Sequence, residues 1–176
     1  MIPGQLIFDL PTQENFNPQN FFVSSSNSKA AKLIHLFPKW HNNGIVISGP
    51  EKSGKTHISH IWKSIANANF YDLKSELVFD TINSNNNCIF DNFDFLKESD
   101  ERKFFQIYND IINNKNYLLI LITETSLNIK LEDLKSRIDA LNLATINDPD
   151  DLLIQAIILK FFHDKQINVA PDVINF

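Results

Sequence analysis

Short apolar stretches alternate along this chain with segments in which apolar residues recur every three or four positions. The first pattern predicts buried strands, and the second predicts amphipathic helices. The stretches predicted as strands are 44–48, 69–71, 88–91, 117–123 and 143–146. The fourth stretch is apolar throughout, as expected of a central strand that is covered on both faces of a parallel sheet. The alternation of strands and helices therefore predicts an α/β fold with a parallel sheet.

The helical spacing of apolar residues predicts a helix in most of the intervening segments. The clearest cases are 27–37, the segment from Ile58 to Ile65, 99–113 and 131–140. Residues 73–80 have a weaker pattern and are predicted as a short helix. After the last strand, Asp148 and Pro149 fit the N-cap and the first position of a further helix, in which we interpret Phe161 and Phe162 as core residues.

Composition limits the classes of function. The chain has 176 residues, of which 43% are apolar and 21% are charged, as in ordinary soluble domains. The net charge of −5 disfavours a broad basic face that binds nucleic-acid phosphates. A single cysteine, Cys88, excludes an internal disulfide and fits a reducing compartment. The longest apolar run, 118–122, is far shorter than the ~20 residues of a membrane-spanning helix. We therefore expect a cytoplasmic protein.

A phosphate-binding sequence contains two of the four glycines in the chain. Residues 49–56, GPEKSGKT, have the form G-x-x-x-x-G-K-[ST] between a predicted strand and a predicted helix. Backbone N–H groups around Gly54 would hold phosphate oxygens at the start of the helix. Lys55 would reach the β- and γ-phosphates, and the hydroxyl of Thr56 would bind Mg²⁺. Lys52 is unusual, because many such loops have glycine at this position.

A second magnesium ligand is predicted at the end of the third strand, where Asp91 follows an apolar run. In related hydrolases the next residue is usually acidic and activates the attacking water, whereas here it is Asn92. An amide orients water but does not accept its proton, and Asp94 is a candidate replacement. We therefore predict slow or absent intrinsic ATP hydrolysis.

The sequence indicates no other catalytic constellation. Only two of the five histidines, His57 and His60, share one helix, and we interpret the histidines as surface or packing residues. Cys88 lies inside an apolar strand and is not a candidate nucleophile.

Several segments together resemble the AAA+ ATPases of the DnaA branch, and within that branch the Hda regulators in their alphaproteobacterial form. The segments that carry the resemblance are 5–10, 21–31, 37–40 with the loop that follows, 131–137 and 148–153. The resemblance covers nearly the whole chain. It implies a five-stranded sheet in the order 5-1-4-3-2. It also implies three parts: an extended arm (1–20), a nucleotide-binding α/β domain (21–147) and a shortened helical lid (148–176).

The resemblance implies a nucleotide, ADP or ATP, bound with Mg²⁺. Its ligands would be Gly49, Ser53, Gly54, Lys55, Thr56, His57 and Asn27, with Thr56 and Asp91 on the metal. Thr123 is the candidate sensor of the γ-phosphate, with Thr125 as a competitor. Arg137 would be an arginine finger that acts in trans on ATP bound to DnaA; the alternative is a surface ion pair with Glu132 or Asp133.

The resemblance also implies that the N-terminal arm docks on the DNA polymerase sliding clamp. Gln5 would hydrogen-bond to the clamp, while Leu6, Phe8 and Leu10 would fill apolar pockets. The alternative is a first β-strand or an apolar tail. Together these features imply a regulator of replication initiation that converts DnaA to its ADP form and meets DNA only through its partners.

Departures from this pattern keep two alternatives open. The sequence ends at Phe176, before the expected sensor-2 arginine of the lid and without a helix-turn-helix domain. One alternative is a small helicase-loader ATPase, and the other is a truncated, inactive paralogue.

Overall fold

A five-stranded parallel sheet forms the centre of the protein, in a computed structural model that describes residues 21–123 and 127–167. The strands are β1 (Gly44–Ser48), β2 (Asn69–Asp72), β3 (Cys88–Asp91), β4 (Leu118–Ile122) and β5 (Asn142–Thr145). They lie in the order β2-β3-β4-β1-β5, and every neighbouring pair is parallel. The predicted fold class and strand order are therefore confirmed.

Six helices precede, connect or follow these strands in the described residues. They are α1 (Ser28–His35), α2 (Lys55–Ala66), α3 (Val78–Thr81), α4 (Glu101–Asn113), α5 (Glu132–Asp139) and α6 (Asp151–Asp164). Short 3-10 turns precede β1 and α4. The weak helical pattern over 73–80 corresponds to a single turn, α3.

Alternate residues of each central strand face two separate cores. Ile45 and Ile47 of β1 pack with α1 and α2 on one face of the sheet. Val46 packs with residues of α4 and α5 on the other face. All residues of β1, β3 and β4 are buried, which explains why these strands are apolar without alternation.

Aromatic rings pack around Trp62 of α2 in the core on the α1–α2 face of the sheet. The rings of Trp40 and Trp62 stack with centroids 4.9 Å apart, and the ring of Phe37 meets each of them edge-on. The indole N–H of Trp40 donates to the carbonyl of Leu33 at 2.6 Å, which fixes the chain between α1 and β1.

Several predicted bounds, those of α6 and β5 among them, differ by one or two residues from the structure. The N-cap of α6 is Asp150 and not Asp148, because the Asp150 carboxylate accepts the N–H of Leu153 at 2.9 Å. Pro149 therefore precedes the helix. Strand β5 begins and ends one residue earlier than its apolar pattern predicted.

The prediction that Phe161 and Phe162 of α6 are core residues is wrong. Helix α6 has no buried residue among those described, and Phe161 is 52% exposed. In the parts of the chain that the structure describes, no helix has both the length and the apolar character needed to span a bilayer.

A buried carboxylate holds the segment that joins β4 to α5. Glu101 is 3% exposed and accepts the backbone N–H groups of Lys130 and Leu131, the latter at 2.7 Å.

We predict that Glu101→Ala lowers the free energy of unfolding by about 2–3 kcal/mol, because buried donors lose a charged partner. Urea denaturation followed by circular dichroism measures the change. The exposed neighbour Glu98 gives the control, since Glu98→Ala should stay within about 0.5 kcal/mol of wild type. Equal effects of the two substitutions would contradict this role.

Candidate functional site

The glycine loop leaves the carboxyl end of β1 and runs directly into α2. At Gly49 the chain approaches the strand beside it so closely that a Cβ atom would lie 2.7 Å from the carbonyl oxygen of Ile146. Gly54 has a φ of +96°, a left-handed conformation that favours glycine. The two glycines of the motif are thus required by close packing at one end and by backbone geometry at the other.

The motif lysine lies within the loop itself. The Nζ atom of Lys55 donates to the carbonyls of Gly49 and Pro50 at 2.7 and 2.8 Å. Burial lowers the pKa of Lys55, while the carboxylates of Asp91, Asp94 and Glu51 act in the opposite direction. An anion in the loop would give this partly desolvated ammonium group a stronger partner than two neutral carbonyls.

A hydroxyl in the loop fits a phosphate ligand. The Oγ atom of Ser53 is buried and has no hydrogen-bond partner among the described residues. Buried hydroxyls are normally paired, so a phosphate oxygen at this loop would satisfy a group that the protein leaves unpaired.

The two predicted magnesium ligands lie in contact. The hydroxyl of Thr56, in the first turn of α2, donates to the Asp91 carboxylate at 3.1 Å. The other Asp91 oxygen accepts the N–H of Asn92 at 2.7 Å. The described residues contain no cluster of three or more His, Cys, Asp or Glu side chains suited to a metal. One hydroxyl and one carboxylate fit a Mg²⁺ ion that takes its remaining ligands from water and phosphate.

Asp94 links the ends of two central strands. Its carboxylate accepts the N–H of Thr123, the residue after β4, at 2.7 Å. Asn92 points along this edge toward β2, where its amide donates to Asp72 at 2.8 Å. The candidate sensor Thr123 is therefore held beside Asp94 at the same edge as Lys55 and Asp91. Its competitor Thr125 lies outside the described residues.

A cavity of about 310 Å³ lies between the loop and α6. It is lined by Phe21, Phe22, Asn27, Lys52, Ser53, Gly54, His57, Leu153, Ile157 and Lys160. The ring of His57 meets the ring of Phe21 edge-on at 5.3 Å. The cavity thus has aromatic and apolar walls at one side and the phosphate-binding loop at the other, as a nucleotide requires.

Asn27 shapes this cavity through the backbone. Although Asn27 is the N-cap residue of α1, its side chain makes no cap hydrogen bond. Its amide instead donates to the carbonyl of Phe22 at 2.8 Å and accepts the N–H of Ser24 at 3.0 Å. Asn27, which is predicted as a ligand of the nucleotide, therefore holds the entry segment, residues 21–27, in place.

Helix α6 supplies three cavity residues that the sequence did not predict, namely Leu153, Ile157 and Lys160. Leu153 and Ile157 are four positions apart and so share a face of the helix. That spacing indicates an apolar face, but it does not indicate that the face meets the loop.

A second cavity, of about 430 Å³, is lined by Asp94, Glu101 and residues 127–129. The Glu101 carboxylate there already has its hydrogen bonds.

Arg137 lies far from the loop in the topology of the sheet. It is exposed in the last turn of α5, just before β5 begins, whereas the loop follows the end of β1. In a parallel sheet these positions are at opposite edges. Arg137 forms no salt bridge in the described part of the chain, so the alternative interpretation, a surface ion pair with Glu132 or Asp133, is not observed. Gln5, Leu6, Phe8 and Leu10 lie outside the described residues.

Solved structures show where this fold occurs. A DnaA structure with bound AMPPCP and single-stranded DNA matches with a TM-score of 0.74 and 20% identity, over 92% of this chain and 60% of that one. Domain III of DnaA from Thermotoga maritima gives 0.73 and 16%, over 95% and 81%. The DnaC helicase loader gives 0.53 and 16%, over 76% and 95%. The chain therefore has the fold of the AAA+ domain of DnaA and spans 60% of the length of the first structure.

No protein-family model and no curated protein matches this sequence.

The contact between Thr56 and Asp91 leads to a test of the magnesium site. We predict that saturating Mg-ADP raises the melting temperature of the wild type by about 5 °C or more, and that EDTA reduces the shift. In Asp91→Asn the shift should no longer depend on Mg²⁺, because a neutral amide is a poor ligand for this cation. Differential scanning fluorimetry measures both.

Asp72 supplies the matched control, since it pairs with Asp91 in the register of β2 and β3 and is exposed. Asp72→Asn should keep the magnesium-dependent shift. A full magnesium effect in Asp91→Asn would contradict the assignment.

Proposed function

We propose that this protein is a nucleotide-binding regulator of replication initiation, related to DnaA and most similar in its motifs to the Hda regulators. The observation that carries the proposal is the assembly at the carboxyl edge of the sheet. There the loop of Lys55, the Thr56–Asp91 pair and the aromatic cavity lie side by side. The fold shared with DnaA structures, one of which holds AMPPCP, supports the same reading.

The nucleotide is ADP or ATP with Mg²⁺. Backbone N–H groups around Gly54 bind its phosphates, Lys55 adds charge, and Thr56 with Asp91 holds the cation. Phe21 and His57, whose rings meet edge-on with centroids 5.3 Å apart, line the side of the cavity that takes the base. Bound Mg²⁺ would neutralise negative charge on the phosphates.

Intrinsic hydrolysis is slow in this proposal. Asn92 carries no carboxylate, and its side chain is engaged by Asp72. The Asp94 carboxylate accepts a backbone N–H from Thr123, so it serves first to position the end of β4. Nucleotide is therefore an ordering ligand more than a substrate, and it stabilises the fold according to its saturation.

Arg137 acts on a neighbour and not on its own nucleotide. It lies at the edge of the sheet opposite the loop and is exposed. A guanidinium group without a salt bridge in the described residues is available to a γ-phosphate of another protein, where it stabilises charge that develops during hydrolysis. The acceptor in our proposal is ATP bound to DnaA. Residues 5–10 bring the protein to DnaA by docking on the sliding clamp.

A helicase loader is the second candidate. The DnaC loader shares the fold, and Phe95 is 54% exposed with the Lys74 ammonium 4.6 Å from its ring centroid. An exposed ring beside a cation suits the stacking of single-stranded bases. ATP turnover that single-stranded DNA accelerates would favour this candidate. A protein that is folded but binds no nucleotide would instead be an inactive paralogue.

Arg137 provides the test of the regulatory role. We predict that the wild-type protein with DNA-loaded clamp accelerates hydrolysis of DnaA-bound ATP, and that Arg137→Ala loses roughly tenfold or more of this stimulation. The assay follows conversion of radiolabelled ATP to ADP on DnaA, with this protein alone as the baseline. Lys135→Ala, on the same helix and also exposed, is the control and should keep the stimulation. Stimulation by Arg137→Ala equal to that of wild type would refute the role.

The arm provides a separate test of clamp docking. Gln5→Ala combined with Leu6→Ala should abolish retention on immobilised clamp, because the polar contact and an apolar anchor are both lost. Nucleotide-dependent stabilisation should be unchanged, since these residues lie outside the range predicted for the nucleotide-binding domain, 21–147. Retention of the double variant at the wild-type level would count against clamp docking.

A further inference from the structure

Two lysines other than Lys55, the invariant lysine of the motif pattern, line the nucleotide cavity from opposite sides. Lys52 comes from the loop and Lys160 from α6. None of the described residues that line this cavity is acidic, although the whole chain has a net charge of −5. Lys55 is not among the described residues that line this cavity, and its ammonium group lies against the carbonyls of Gly49 and Pro50. The positive charge of the cavity walls therefore comes chiefly from Lys52 and Lys160.

The backbone of Lys52 is in an uncommon conformation. Three described residues other than glycine and asparagine have positive φ, namely Lys52, Lys115 and Gln166. Lys115 and Gln166 each follow a helix and close its last turn through backbone hydrogen bonds, which is the ordinary place for a left-handed residue. Lys52, with a φ of 61°, ends no helix. Strained residues of this kind concentrate at ligand-binding loops.

Lys160 has an internal partner that an anionic ligand would replace. Its ammonium group forms a salt bridge with Asp164, one helical turn further on. The Lys160 side chain is 25% exposed and the Asp164 side chain 56%. The hydrogen bond from Lys160 is the main cause of the lowered pKa of Asp164. An exposed carboxylate is a weak competitor for a lysine that also borders a cavity.

We propose that Lys52 and Lys160 form a two-sided clamp for the phosphate chain of the bound nucleotide, in which Lys160 exchanges Asp164 for a phosphate oxygen. This inference rests on the proposed function, because it assigns two further residues to the same nucleotide. The exchange attaches α6 to the ligand across the cavity. Asp164 then acts as an internal anion that lowers affinity for phosphate.

The clamp predicts that substitutions of these lysines change the affinity for a nucleotide with phosphates but not the affinity for the nucleoside without them. Isothermal titration of Mg-ADP and adenosine into the full chain measures it. Lys160→Gln and Lys52→Gln should each weaken ADP about tenfold, as expected for one charge-assisted hydrogen bond, and leave adenosine unchanged. The control Lys103→Gln removes an exposed lysine of α4, which packs on the opposite face of the sheet from α2, and should leave both affinities at the wild-type level.

The decisive variant is Asp164→Asn, which frees Lys160 without touching the cavity. It should tighten ADP binding about threefold, in the range of an exposed ion pair, and it should have no effect in the Lys160→Gln background. Unchanged ADP affinity in Asp164→Asn, or equal weakening of ADP and adenosine in Lys160→Gln, would overturn the clamp. If the folded wild type binds neither ligand, the proposed function itself fails. Normal wild-type binding with unaltered variants refutes only the clamp.

Discussion

Strand β1 lies between β4 and β5 and is buried along its whole length. Its pairing fixes the point at which the chain leaves the sheet and enters the glycine loop. Ile146 follows β5 and lies so close to Gly49 that no side chain fits between them. The loop therefore has one path, which leads into α2 and places Lys55 and Thr56 beside the end of β3. Every other feature of the candidate site depends on this parallel arrangement of β4, β1 and β5.

The site combines a rigid half with a half held by fewer contacts. The first half lies at the ends of buried central strands and consists of the loop, Asp91 and Asp94. The second half is α6, which has no buried residue in the described chain. A hydrogen bond of 2.6 Å from Ser25 to the N-cap residue Asp150 ties α6 to the entry segment. Few buried contacts imply low local stability. A ligand that touches both halves would therefore order α6 more than it orders the sheet.

Local sequence was sufficient to predict the rigid half. The bounds of β1 and β3 and the pairing of Thr56 with Asp91 all follow from apolar runs that end in a glycine loop or a carboxylate. The start of α6 was misplaced because Asp148 and Asp150 both fit an N-cap, and the choice rests on Leu153 and on Ser25, which is distant in sequence. Lys160 was missed for a related reason, since its spacing on a helix says nothing about which part of the domain the helix meets. The predicted roles of Arg137 and residues 5–10 depend on partner proteins and stay predictions.

Hydrogen–deuterium exchange with and without Mg-ADP tests the central claim most directly, because it locates bound nucleotide in the intact chain. We expect added protection in three segments that are separate in sequence: residues 49–57, residues 21–27 and the part of α6 that includes Leu153, Ile157 and Lys160. Helices α4 and α5 on the opposite face should exchange as before. No change in exchange at saturating Mg-ADP, or protection confined to the cavity beside Glu101, would contradict a nucleotide site between the loop and α6.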